Sequence, residues 1–259
     1  MKILITGGKG YIAQSLYKAL KSEFDVTLIS RQDLDLTQSF ETLKYFSNKY
    51  FDVVIHCAVS GGSRLKVDTW EEMDNNLKMY YNLLNCESRF GQLIHFGSGA
   101  EINFSESPYG MSKKVIANSI LEKENFNNIR IFAVFDENEL DRRFIKSNIK
   151  RYINKEPIII HKDKYMDFFY MKDLVTVVKF IIFNPNVKLF ECCYMEKTKL
   201  SDIGNIINNL SDYKVPIKIQ DSEIDLEYTG KFFKYNLETV GLTKGIEETY
   251  KKILDEYKN

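Results

Sequence analysis

The sequence predicts an α/β chain, a doubly wound parallel sheet with a smaller C-terminal α/β lobe. Three observations predict it. Short apolar strands alternate with amphipathic helices up to about residue 136, as in consecutive βαβ units. A glycine-rich turn, Thr6-Gly7-Gly8-Lys9-Gly10-Tyr11-Ile12-Ala13, follows the first strand directly. Beyond residue 136 the strands shorten while helices continue, and 259 residues suit one α/β domain with a small lobe attached.

The elements follow in order. Lys2-Ile3-Leu4-Ile5-Thr6 has an unbroken apolar centre, Ile3-Leu4-Ile5, as expected of a buried parallel strand. Tyr11–Ser22 places Ile12, Leu16, Ala19 and Leu20 at helical spacing. Val26–Ser30 is a second strand, Gln38–Lys49 a helix and Asp52–His56 a third strand. A long helix is expected over Trp70–Arg89 and a strand over Leu93–Gly97. Tyr109–Asn125 is helical, and Ile129–Phe135 is again a strand. In the second part, helices are expected over Phe144–Asn154, Asp173–Phe183, Leu200–Leu210 and Lys244–Tyr257, with strands at Pro157–Ile160 and Asp167–Tyr170. The division proposed is 1–136 for the first domain and 137–259 for the lobe, with Asp167–Leu174 considered for a return to the first domain.

The glycine-rich turn has the form of a phosphate cradle. Gly7 permits the tight turn out of the strand, Gly10 lets backbone amides approach a pyrophosphate, and the small Ala13 lets helix pack on strand. The helix N-terminus then faces the anion. At the head of a βαβαβ pattern this describes a Rossmann-type dinucleotide site. Arg31 directly follows the second strand, where a cation meets the 2′-phosphate of NADP and NAD enzymes usually carry an acid. NADP(H) is therefore favoured and NAD(H) stays open, since Arg31 also reads as a solvated surface residue. Asp35 and Leu36 fall where adenine would lie, although Asp35 also suits a cap of the following helix.

Composition excludes several classes. Lys+Arg and Asp+Glu both number 36, a zero net charge that asks for neither nucleic acid nor an acidic membrane surface. Cys57, Cys86, Cys192 and Cys193 have neither zinc-ligand spacing nor a disulfide framework, so no metal is expected and reduced thiols suit a cytoplasmic setting. The chain opens on a strand, leaving no room for a signal peptide, and no apolar run approaches the roughly 18 residues of a membrane span.

Tyr109 and Lys113 lie four apart on one helix and share a face, and Ser98 lies eleven residues before Tyr109. A nearby ammonium favours a phenolate, which makes Tyr109 a general acid/base at a carbonyl or hydroxyl. Lys113 is also placed to hold the nicotinamide ribose, and Ser98 to hydrogen-bond the substrate oxygen. Asn76, on the preceding helix, is expected to orient Lys113 through water. With 16 tyrosines in the chain a Tyr-x-x-x-Lys pair arises by chance. Here Pro108 starts the helix and Ser98 ends a strand, which puts both at the carboxyl edge of the sheet.

These residues resemble the extended short-chain dehydrogenase/reductase family, of the nucleotide-sugar epimerase/dehydratase type, over essentially the whole chain. Thr6–Ala13 is similar to its cofactor loop, His56-Cys57-Ala58 to its third-strand motif, and Asn76-Leu77…Asn82-Leu83-Leu84 to its long helix. Asp167-Phe168-Phe169-Tyr170-Met171-Lys172-Asp173 resembles its C-terminal segment, with Met166 where arginine is common, and Gly241-Leu242…Gly245-Ile246 resembles its ending. Leu34–Thr37 with Asp52–His56 resembles the GDP-fucose synthase branch most. The resemblance implies a cofactor set of Thr6, Gly7, Gly10, Tyr11, Ile12, Arg31, Asp35, Leu36, Cys57, Ala58, Tyr109 and Lys113. It implies catalytic roles for Ser98, Tyr109 and Lys113, with Asn76 supporting, and a sugar nucleoside diphosphate as substrate. A homodimer through helices 70–89 and 109–125 is the family expectation.

Departures sort the chemistry. Family dehydratases place acids just after the catalytic Ser/Thr, where this chain has Gly99 and Ala100. Fucose synthases place a cysteine at position 99 and a histidine on the later helix, and neither is present. The Ser98–Tyr109 interval is also short for this branch. What remains is reduction of a 4-keto sugar with Tyr109 as proton donor, 4-epimerisation on retained NAD, or a non-catalytic dinucleotide-binding role. Arg142, Arg143, Lys150 and Arg151 form a basic stripe, read as a solvated face or a diphosphate clamp. His56 and the Cys192-Cys193 pair read as structural.

Overall fold

The computed structural model describes residues 1–62, 66–223 and 225–258. Strand β1 (Lys2–Thr6) is buried except at Lys2, and helix α1 (Tyr11–Leu20) buries Ala13, Leu16 and Leu20 along one face. Strand β2 (Asp25–Leu28), helix α2 (Ser39–Phe46) and strand β3 (Phe51–His56) follow. Helix α3 (Trp70–Leu84) opens on a capping box, in which Thr69 and Glu72 each accept the other's backbone N–H. Strand β4 (Phe90–Ser98) leads into the single turn α4 (Ala100–Asn103). Helix α5 (Pro108–Leu121) has Pro108 in its first turn, and the Ser107 hydroxyl accepts the Gly110 N–H at 3.0 Å. Strand β5 (Phe126–Ile131) completes this series.

Then come β6 (Val134–Phe135), α6 (Phe144–Ile153), β7 (Ile158–Lys162), β8 (Phe169–Tyr170), α7 (Met171–Phe183), β9 (Leu189–Cys192), α8 (Leu200–Asn208), β10 (Ile217–Asp221) and α9 (Leu242–Lys258). Two strand expectations and one helix expectation change. The apolar run 129–135 is divided, because β5 ends at Ile131 and β6 pairs in parallel with β8 in a separate ribbon. Of Asp167–Tyr170 only Phe169–Tyr170 is strand. The expected helix Trp70–Arg89 ends at Leu84, where Asn85, Cys86 and Ser88 are weak helix formers, and a short 3-10 turn, Glu87–Arg89, follows.

The chain forms two compact units. The first comprises Met1–Arg130 with Val178–Phe190, and the second comprises Ile131–Val177 with Glu191–Asn259. The returning segment is therefore Val178–Phe190, and Asp167–Leu174 lies in the second unit. The main sheet has the order β2-β1-β3-β4-β5-β9, with β1 parallel to β2 and β3, and β3 parallel to β4. Order reverses between β1 and β3, so the crevice at their carboxyl ends is the switch point where such sheets take ligands. In the first unit's core, Leu4, Val54 and Leu93 of the strands meet Tyr80 and Leu83 of α3 and Ile116 and Ile120 of α5. The second unit has its own core of Ile145, Ile149, Tyr152, Ile158, Ile160, Ile203, Ile207, Ile246 and Ile253.

Candidate active site

The β1–α1 turn builds the floor of a crevice. Gly7 has φ of 71°, and a Cβ there would stand 2.7 Å from the Ala58 amide nitrogen. The turn can therefore press against the end of β3 only as glycine. Thr6 fixes the same junction, with Oγ1 lying 2.9 Å from His56 Nδ1 and accepting the Ala58 N–H at 3.2 Å. Gly10 is the N-cap of α1 and no side-chain hydrogen bond caps it, the kind of helix N-terminus that suits an anion.

A cavity of about 290 Å³ opens here, inside the first unit. Thr6, Gly7 and Gly10 line it, with Arg31, Asp35 and Leu36 from the loop after β2 and Cys57 and Ala58 from the end of β3. Tyr11 and Ile12 are not in the lining. Lys9, Ser30, Ser60, Asn75 and Met79 are, and none was singled out from sequence. Arg31 donates from Nε to Asp35 at 3.0 Å, and its side chain is 78% exposed. Lys9 Nζ donates to Gln32 at 2.8 Å. Two cations thus stand at the rim by the β2 end. Asp35 accepts the Thr37 N–H at 3.0 Å and the Thr37 hydroxyl at 2.7 Å, so it folds the loop rather than capping α2, whose N-cap is Gln38.

Lys113 is only 4% exposed. Its Nζ donates to the Phe96 carbonyl at 2.7 Å, lies 3.5 Å from His95 Nε2, and stands 5.8 Å from the centre of the Tyr109 ring. Burial pushes its pKa down to about 8, against the opposing pull of Glu101 and then Cys57. Burial, with the Lys113 charge beside it, takes His56 down to about 3, so this imidazole is neutral and structural. Tyr109 is half-buried, its ring packed on Gly62, where a Cβ would come within 2.7 Å of ring carbons. Gly62 has φ of 73°, so this close approach also depends on glycine.

Ser98 is buried at the end of β4, and its Oγ accepts the Ala100 N–H at 3.2 Å. Asn76 does not serve Lys113 directly. Its amide donates to the Ser60 carbonyl at 2.9 Å and to Ser112 Oγ at 3.1 Å, and its oxygen accepts the Ser60 N–H at 2.8 Å. It pins the segment after β3, which lines the cavity. Glu101, three residues past Ser98, lies just beyond Gly99 and Ala100. It is buried and bonded to the Ser98 amide.

In the second unit, Lys150 pairs with Asp141 at 2.7 Å and Arg151 with Glu156 at 3.3 Å, so half of the basic stripe already holds carboxylates. Met166 is a core residue there. Cys192 and Cys193 are buried, free thiols. Among the described residues no group of His, Cys, Asp or Glu gathers to hold a metal, and no helix is long and apolar enough to cross a membrane.

Residues 3–190 match the model of the NAD dependent epimerase/dehydratase family. No curated protein matches in sequence. Solved structures with similar folds include a dTDP-4-dehydrorhamnose reductase from Clostridium acetobutylicum, at 22% identity over 85% of this chain and 83% of that one, with TM-score 0.74. A GDP-mannoheptose C4 reductase from Campylobacter jejuni with NADP bound is 16% identical over 100% and 98%, with TM-score 0.78. A UDP-glucuronic acid 4-epimerase from Bacillus cereus, in complex with NAD, is 19% identical over 99% and 100%, with TM-score 0.78. At these identities the likeness is one of fold.

Proposed function

This chain belongs to the NAD-dependent epimerase/dehydratase family, and on that premise we propose that it is an NADP(H)-dependent reductase of a 4-keto sugar carried on a nucleoside diphosphate. The observation that carries the reading is the buried Lys113 beside Tyr109 on one helix, with Ser98 at the neighbouring strand end. The crevice residues fit a dinucleotide. Gly7 and Gly10 leave the backbone open to a pyrophosphate, and Lys9 and Arg31 offer two cations where a 2′-phosphate would lie.

Bound there, the nicotinamide supplies a hydride for the sugar C4. The chain's own groups manage the proton. Ser98 Oγ is placed to hydrogen-bond the carbonyl oxygen, and Tyr109 gives its hydroxyl proton to that oxygen as the alcohol forms. The Lys113 ammonium stabilises the phenolate left behind. Glu101 is unsuited to a dehydratase role, because its carboxylate already accepts from the Ser98 amide, Asn128 and Arg130.

The test is NADPH and then NADH consumption over a panel of nucleotide-linked 4-keto-6-deoxy sugars. Net oxidation of NADPH by one of them supports the proposal. Interconversion of 4-hydroxy sugar nucleotides without net oxidation replaces it with a 4-epimerase. No turnover of either kind, with Tyr109→Phe indistinguishable from wild type, replaces it with a binding role.

A further inference from the structure

Glu101 is a carboxylate only 4% exposed, within four residues of Ser98 along the chain. Oε1 accepts the Ser98 N–H at 2.8 Å. Oε2 accepts from Arg130 Nε at 2.9 Å, and Arg130 Nη2 lies 2.9 Å from the same oxygen. The Asn128 amide donates to both oxygens, at 3.3 and 3.2 Å. Gly97 leaves the space for this network, since a Cβ there would collide with Glu101 Oε1 and with Asn128. An isolated core ion pair would not need to touch the serine, and buried ion pairs are weak sources of stability.

We infer that Glu101 is a positioning residue for the proton-transfer set, fixing the Ser98 amide and supplying the carboxylate charge that balances the buried Lys113 ammonium. The inference rests on the reading of Ser98, Tyr109 and Lys113 given above. The groups facing Lys113 are Glu101 from α4, His56 and Cys57 from β3 and its end, His95 from β4, and Tyr109 from its own helix. Burial drives the Cys57 thiol well up and both imidazoles well down, so none of the three is charged at neutral pH. Lys113 Nζ is held on the Phe96 carbonyl at 2.7 Å, and Glu101 Oε1 lies against the next residue of β4, Gly97, so the ammonium and the carboxylate address adjacent residues of one strand. Glu101 accordingly leads the influences that favour a charged Lys113. Arg130 is committed to the same carboxylate.

The test needs no sugar. Protein carrying 13C-labelled lysine is titrated by NMR, with the Lys113 Cε resonance assigned by its loss in Lys113→Arg. Wild type is expected to titrate near 8, and Glu101→Gln, which keeps the shape but not the charge, roughly one pH unit lower. A midpoint unchanged in Glu101→Gln overturns the inference and leaves a structural ion pair. If that variant does not fold because Arg130 is left unpaired, Glu101→Gln/Arg130→Gln is compared with Arg130→Gln, since only the carboxylate charge differs between these two. A lower midpoint in the double variant supports the inference and equal midpoints overturn it. Failure of the sugar panel with a shifted midpoint would sink the reductase assignment and not this one.

Discussion

Lys113 shows what the site costs the fold. Its depression from 10.5 to about 8 is caused first by burial and corresponds to ~3 kcal/mol while the side chain stays charged. The unfolded chain holds this proton more tightly. The stability from this group is therefore fully present above about pH 10.5 and is lost as pH falls through about 8. Lys113→Met should gain stability over wild type at pH 7, and the gain should fade as pH rises toward about 10.5. Urea unfolding of both proteins across that range checks it, because the other titrating groups cancel in the difference. A constant difference would show that the Lys113 pKa is not depressed in the fold. Tyr109→Phe makes the complementary change. The ring keeps its seat on Gly62 but has no proton to give, so turnover should drop by roughly 10²–10⁴ with NADPH affinity intact. Equal loss of affinity would place Tyr109 in binding rather than proton transfer.

The β1–α1 turn is the element most exposed to a single atom. Gly7→Ala forces an L side chain to φ of 71° and drives Cβ into the Ala58 amide. A destabilisation of roughly 1–3 kcal/mol is expected, together with weaker NADPH binding. Gly10→Ala, whose nearest contact would be the Gly7 carbonyl at 3.1 Å, should be milder. Thermal unfolding and fluorescence titration of the two variants decide this, and a Gly7→Ala protein that binds NADPH like wild type would remove the turn from the cofactor site. This turn was legible in sequence because glycine spacing states a backbone requirement directly. The Tyr109–Lys113 pair was legible because a spacing of four fixes a shared helix face. Less local features were not. Glu101 owes its role to Arg130 and Asn128 on β5, and no spacing rule links the two segments. The division of the run 129–135 depends on β6 finding β8, a pairing that apolar periodicity does not encode. Strand β10 went unseen because Ile217–Asp221 has no buried face to alternate against.

At the scale of the molecule, helices α3 and α5 carry more apolar surface than their seat on the sheet uses. Tyr80 and Leu83 of α3, with Ile116 and Ile120 of α5, fill the first unit's core. Beyond that core α3 still exposes Trp70 and Tyr81, and α5 exposes Leu121 and half-exposes Met111 and Val115. We propose that these helices meet their counterparts in a homodimer. With 36 basic and 36 acidic residues, no net-charge repulsion opposes association of two copies. A stable interface of this kind buries on the order of 1,600 Å², which two paired helices on each chain can supply. Sedimentation equilibrium should then return twice the chain mass. Tyr81→Glu sets a charge on the exposed face of α3, away from the residues that line the cavity. It should shift the protein toward monomer while NADPH binding persists. A wild-type protein that sediments as one chain, or a Tyr81→Glu protein that remains dimeric, would remove these helices from any self-association. Loss of NADPH binding in that variant would instead mean that α3 transmits strain through Asn76 to the Ser60 segment it pins.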